Sequence, residues 1–232
     1  LILLLCCAFI LVQANAQDQE RSLFITASGG ASFNKQNETN KSSQIHISTS
    51  FNYMLNNKWA VGLVAEHSRG VAKAGQMSVP VSGGTGYTTF YSSIETNRRS
   101  WFAGPQVRYY HNLTDKLLFF GEAQAGLRFE SAETESSSSS YYSGGNPYYP
   151  NGTPPAQSYS SNKSEALSAQ AVASPGIVYF LKPQFGIELK TSLLHYYQGL
   201  DNSMLPDGAE QSKNFSADFS MANTRIGVSY YF

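Results

Sequence analysis

The stretch Ile45-His46-Ile47-Ser48-Thr49-Ser50-Phe51-Asn52-Tyr53-Met54-Leu55 separates into two sets when every second residue is taken. The odd positions are Ile45, Ile47, Thr49, Phe51, Tyr53 and Leu55, and the even ones are His46, Ser48, Ser50, Asn52 and Met54. Successive side chains of a β-strand point to opposite faces, so this segment reads as a strand with one apolar and one polar side. Residues 117–129 repeat the pattern, setting Leu117, Phe119, Gly121, Ala123, Ala125, Leu127 and Phe129 against Glu122, Gln124, Gly126 and Arg128. The chain ends the same way, with Ala222, Thr224, Ile226, Val228, Tyr230 and Phe232 against Asn223, Arg225, Gly227, Ser229 and Tyr231.

Working outward, eight segments carry this period: 23–33, 45–55, 59–67, 101–111, 117–129, 167–181, 185–197 and 221–232. No Asp, Glu, Lys or Arg falls on their apolar faces, whereas Glu66, Arg108, Glu122, Arg128, Glu188, Lys190 and Arg225 fall on the polar ones. A soluble sandwich would place many Lys and Glu where its polar face meets water. A small membrane-spanning barrel needs the arrangement seen here, because lipid excludes charge outside while a narrow interior fills with polar side chains. The expected fold is therefore all-β, an eight-stranded antiparallel up-and-down transmembrane β-barrel.

The connections support that reading, since the long stretches 34–44, 68–100, 130–166 and 198–220 alternate with the short ones 56–58, 112–116 and 182–184. Outer-membrane barrels pair short periplasmic turns with long extracellular loops. Aromatics gather toward segment ends, at Phe33, Tyr53, Trp59, Trp101, Tyr109, Tyr179, Phe185, Tyr197, Tyr230 and Phe232, as a headgroup girdle requires. Pro105 and Pro175 fall inside strands, and each removes a ladder donor, so a bulge or an open hydrogen bond is expected at each.

Composition sharpens the class. The chain has 232 residues, equal numbers of basic and acidic groups at 16 each, and only 14% charged residues, against about 25% in soluble domains. Mean hydropathy is −0.29, and no apolar run long enough for a spanning helix follows the first segment, which excludes a helical multi-span protein. Zero net charge argues against a nucleic-acid partner. Residues 1–12 form a compact apolar block, and Ala14 and Ala16 then fit the −3 and −1 positions of a cleavage site, so 1–16 read as a signal peptide truncated at its N-terminus. Residues 17–232 form the barrel domain. Cys6 and Cys7 both lie in the signal, leaving no disulfide or thiol chemistry to the mature chain. Cys6 is also a weak candidate for lipoprotein acylation, since it sits within the apolar block and not after it.

Catalytic, metal and cofactor readings find little support. His46 and Ser48 share a strand face, but by parity both point into the lumen, and a lone pair of this kind is a weak catalytic signal. His67, His111 and His195 take the lipid-facing parity near strand ends, where a polar-tipped ring suits the interface. No ligand spacing for a metal and no phosphate-binding glycine loop is present. The seven inward charges are instead expected to form an ionic network filling the lumen, because eight strands enclose only enough room for side chains. Residues 131–165, with five consecutive serines at 136–140 and Tyr141, Tyr142, Tyr148, Tyr149 and Tyr159, read as a flexible Ser/Tyr/Pro-rich loop. Tyrosines on an adaptable Ser/Gly background also make good contact residues, so a surface glycan or protein ligand is a candidate partner there.

The strand pattern with Ile226-Gly227-Val228-Ser229-Tyr230-Tyr231-Phe232 at its end resembles the small OmpA-like and OmpX-like outer-membrane barrels. More narrowly, Phe102-Ala103-Gly104-Pro105-Gln106-Val107-Arg108-Tyr109-Tyr110 followed by Phe119-Phe120-Gly121-Glu122-Ala123 resembles the porin-like outer-membrane β-barrel domain abundant in Bacteroidetes. The resemblance implies export, residence among outer-membrane lipid and lipopolysaccharide, and insertion by the barrel-assembly machinery, with Phe232 as the assembly signal. It implies a non-enzymatic envelope protein displaying surface loops. An adhesin or ligand receptor binding through 131–165 is the alternative.

Overall fold

The computed structural model describes residues 23–37, 39–83, 86–144, 153–200, 213–217 and 223–232. The expected signal peptide, the middle of the 131–165 segment and most of the 198–220 connection lie outside them. Strands are β1 (Leu23–Lys35), β2 (Lys41–Met54), β3 (Trp59–Gly83), β4 (Gly86–Asn112), β5 (Leu117–Gly144), β6 (Thr153–Lys182), β7 (Phe185–Thr191), β8 (Leu194–Gly199), β9 (Lys213–Ala217) and β10 (Thr224–Tyr231). All pairings are antiparallel. The ring runs β1-β2-β3-β4-β5-β6-β7-β10 and closes where Phe24 of β1 meets Tyr231 of β10. β8 continues β7 along β6, and β9 pairs with β8. The chain is an eight-stranded antiparallel barrel.

Local chemistry sets the short turns, which lie at the same end as Leu23 and Phe232. The Asn56 carboxamide oxygen accepts from the backbone N–H of Lys58 at 2.8 Å and of Trp59 at 2.9 Å, closing the β2–β3 turn. Thr114 does the same for Lys116 and Leu117 between β4 and β5. Such side chains offer the backbone a local partner and so stop the ladder.

The walls have the sidedness read from the period. Ile45, Ile47 and Phe51 are exposed while Ser48, Ser50 and Asn52, on the alternate positions, are buried. Leu63 is 64% exposed and Ile226 66%, whereas Glu66 and Ser229 are buried. Among the described residues, buried polar side chains outnumber buried apolar ones, and large hydrophobics cover the outside. This is the polarity of a soluble domain turned inside out.

Both prolines disturb the ladder, in different ways. At Pro105 the β4–β5 pairing stops at Ala103↔Leu127 and resumes at Gln106↔Gln124 in unchanged register, so the ladder opens without a bulge. Gly104 and Gly126 face each other across that opening, each so close to the other's strand that a Cβ on either would collide with backbone. At Pro175 the register shifts: Ala173 pairs with Leu194 but Gly176 pairs with Lys190, which leaves one extra residue on the β7–β8 side. A bulge of one residue reverses the parity of everything beyond it. Leu194 and Tyr196 therefore face outward, and His195 and Tyr197 turn in. This corrects the expected lipid-facing placement of His195 and the girdle role of Tyr197.

The long connections are corrected too. Residues 68–83, 86–100, 131–144 and 153–165 are strand, because β3 and β4 stay paired to Gly83↔Gly86 and β5 and β6 to Tyr142↔Thr153. A four-stranded sheet thus rises from one side of the ring. Its sequence carries no apolar alternation to betray it. Directly opposed hydroxyls join its strands instead, at Ser93–Ser137, Thr96–Thr134, Ser136–Ser160 and Ser138–Ser158, between 2.8 and 3.2 Å.

Candidate functional site

The interior is built in tiers along the axis. At the turn end Phe24, Tyr110, Phe120 and Tyr231 form an aromatic stopper with Ala60 and Val178. Phe24 stacks on Tyr231 with ring centroids 4.7 Å apart, and Tyr110 lies 5.9 Å from Phe120. These aromatics sit on the polar parity of their strands, each near the turn end. That departure from the period was the sequence signal for the stopper, and it was missed.

Arg108 lies on the stopper, its guanidinium 4.9 Å from the Phe120 ring centre and 5.9 Å from that of Phe24. It donates to Glu122 through Nε at 2.5 Å and to both carboxylate oxygens of Glu188 through Nη1, at 3.0 and 3.2 Å. Lys190 Nζ donates to the other Glu122 oxygen at 2.7 Å. Two cations and two anions thus close a neutral tier whose side chains are at most 3% exposed. Charges taken this far from water persist only when paired and hydrogen-bonded.

The next tier centres on Glu66. Arg225 Nη1 reaches its Oε1 at 2.7 Å, Gln124 Nε2 the same oxygen at 3.2 Å, and His46 Nε2 its Oε2 at 3.1 Å. Beside it the Gln106 amide donates to Asn52, whose own amide donates to Ser50. Above, Arg128 Nη2 donates to Ser100 at 2.8 Å, Ser68 and Ser100 share a hydrogen bond at 2.7 Å, and Arg128 stands 3.7 Å from Glu130.

The structure therefore places Arg108, Glu122, Glu188 and Lys190 in one cluster, Glu66 and Arg225 in a second, and Arg128 in a third. Sequence reasoning did not single out Asn52, Gln106 and Gln124, the neutral links of the lattice; inward parity was their signal. His46 and Ser48 both face inward, but His46 is held by Glu66 and Ser48 by Ser28 at 2.7 Å, so each is engaged elsewhere. Phe232 stands exposed beside Tyr230 on the outer wall, its N–H donating to the carbonyl of Leu23. Among the described residues no group of three or more His, Cys, Asp or Glu gathers as metal ligands.

No family model and no curated protein matches the chain. Solved structures overlap it at low similarity. The attachment invasion locus protein Ail of Yersinia pestis, crystallised with the heparin analogue sucrose octasulfate, is 11% identical, covering 92% of this chain and 100% of its own, with a TM-score of 0.33. Neisserial surface protein A is 11% identical over 90% and 97%, at 0.35. The outer membrane protein OprG of Pseudomonas aeruginosa is 16% identical over 91% and 96%, at 0.32. Overlap at these scores carries no argument about this chain. Its fold stands on ring closure and on the sidedness of the walls.

Proposed function

We propose that the chain is an integral outer-membrane β-barrel without enzymatic activity, closed to solutes, that holds a rigid sheet clear of the membrane for envelope structure or surface contact. One observation carries this reading: the ring is apolar outside and ionic within. No aqueous solvent would stabilise that wall, and a bilayer would. In this reading the turns and both described termini lie in the periplasm and the long hairpins outside, with Phe232 placed for recognition by the assembly machinery. The aromatic stopper and the neutral Arg108 tier together fill the bore, so the barrel is structural and not a pore.

Fractionation followed by a gel of boiled and unboiled samples tests the membrane assignment. The protein is expected with outer membranes, migrating differently unboiled; a protein soluble without detergent would refute it. Planar-bilayer recording tests closure, and stable large conductance steps would refute a filled bore.

A second reading, a receptor or adhesin acting through 131–165, is favoured by a cleft of about 710 Å³ on the projecting sheet. Tyr91 and Tyr159 line it with Ser93, Ser137, Ser139 and Gln157. Exposed tyrosines among hydroxyls offer ring faces and hydrogen bonds to a sugar or a peptide.

A further inference from the structure

On the outer wall Arg69 of β3 and Arg99 of β4 are direct antiparallel partners. Both are exposed and share the outward parity of Leu63 and Trp101. Side chains so opposed stand about 4.5–5.5 Å apart at Cβ, and like charges there repel. Farther along the same parity Lys73 pairs with Glu95 at 2.6 Å and Lys163 with Glu165 at 2.8 Å, while Lys41 stands opposite Lys35 and Lys73 beyond the apolar rows. Among the described residues neither Arg69 nor Arg99 forms an ion pair. Their neighbours along the row are neutral, Ile45 on β2 and Ser131 on β5, while Glu133 stands a diagonal away, opposite Asn97.

The row beneath is Ile47, His67, Trp101 and Phe129, again in direct register. His67 and Trp101 lie 4.1 Å apart between ring centres. Two residues of strand rise about 6.6 Å, so the arginines stand just beyond the aromatic girdle, at headgroup depth. A guanidinium fork matches phosphate oxygens, and a phosphate between two of them would replace repulsion with charge-assisted hydrogen bonds.

We propose that Arg69 and Arg99 together bind the phosphate of an anionic lipid headgroup in the leaflet at the hairpin end, with its acyl chains against Trp101, Phe129 and Ile47. The occupant is a lipid and not a free anion because the apolar row is continuous with the arginine row on the same wall. This inference rests on the membrane-spanning reading.

The test uses the whole mature barrel in detergent. Native mass spectrometry would follow retention of lipid A carrying both phosphates and of the same lipid dephosphorylated, with inorganic phosphate as competitor. Wild type is expected to hold the phosphorylated lipid preferentially, and Arg69→Gln/Arg99→Gln to lose about tenfold or more in affinity. Arg98→Gln, on the other face of β4, is expected to bind as wild type. Equal binding of both lipids by wild type, unchanged binding by the double variant, or full displacement by millimolar phosphate would each overturn the proposal. If the double variant does not show the folded band on an unboiled gel, the single Arg69→Gln and Arg99→Gln variants and the wild-type preference decide. A barrel that extracts with membranes but shows no lipid preference sinks this inference alone; one that is soluble sinks the membrane reading itself.

Discussion

Replacing Arg108 by Met removes the cation that two buried carboxylates share. In the intact tier Arg108 and Lys190 balance Glu122 and Glu188. After the change Lys190 is the one cation left in the tier and is bonded to Glu122, and among the described residues Glu188 keeps the Thr26 hydroxyl at 3.4 Å. Removing one partner of a buried ion pair costs about 3–5 kcal/mol, because the charge left behind has neither water nor counter-ion. That is about two to four orders of magnitude in the folded-to-unfolded ratio. Met keeps much of the length and packs on Phe120 and Phe24, so the loss reports charge more than volume. The double variant Arg108→Met/Glu188→Gln restores neutrality and should recover about 1–3 kcal/mol relative to the sum of the two single changes. Urea unfolding from lipid vesicles would be followed by fluorescence of Trp59 and Trp101, the only two tryptophans, both exposed on the outer wall and therefore moved from acyl chains to water on unfolding. A single-variant cost below about 1 kcal/mol, the scale of a solvated ion pair, would refute the reasoning, as would strict additivity. Either result would mean that the bore admits enough water to solvate a lone carboxylate.

Three further outcomes are expected. Gly104→Val drives a side chain into the Ala125 carbonyl across the opened ladder and should cost about 1–3 kcal/mol or prevent folding; an unchanged urea midpoint would show that the strands can part there. Deleting Leu193 removes the extra residue opposite Pro175 and leaves a regular ladder in which Leu194 and Tyr196 still face outward and His195 inward. The folded band on an unboiled gel should then persist, and its loss would mean that the strand needs the bulge where Pro175 lacks its ladder donor. Rejoining Thr134 to Asn162, which are cross-strand partners, through a short turn removes the top of the β5–β6 hairpin. The barrel should keep its heat-dependent migration, and loss of glycan or cell binding in that variant alone would favour the receptor reading.

The inside and the outside of the barrel were legible in the sequence because side-chain parity is a local property. Each step along a strand reverses direction whatever the neighbours are, so the charges at Glu66, Arg108, Glu122, Glu188, Lys190 and Arg225 declared the inner face before any partner was known. The prolines at 105 and 175 likewise announced two disturbances, since a missing N–H is a local fact. Which disturbance each made was not readable: the residues after the bulge, Leu194-His195-Tyr196-Tyr197, are amphipathic enough on both parities to fit either face, and only pairing with β6 chose between them. The serine-rich hairpin gave no period at all, because its strands are joined by hydroxyl pairs and backbone and not by burial. Which carboxylate holds which cation, and that Arg69 stands against Arg99, were decided by register between segments distant in the chain. Register is a property of two strands at once, so no reading of one strand contains it.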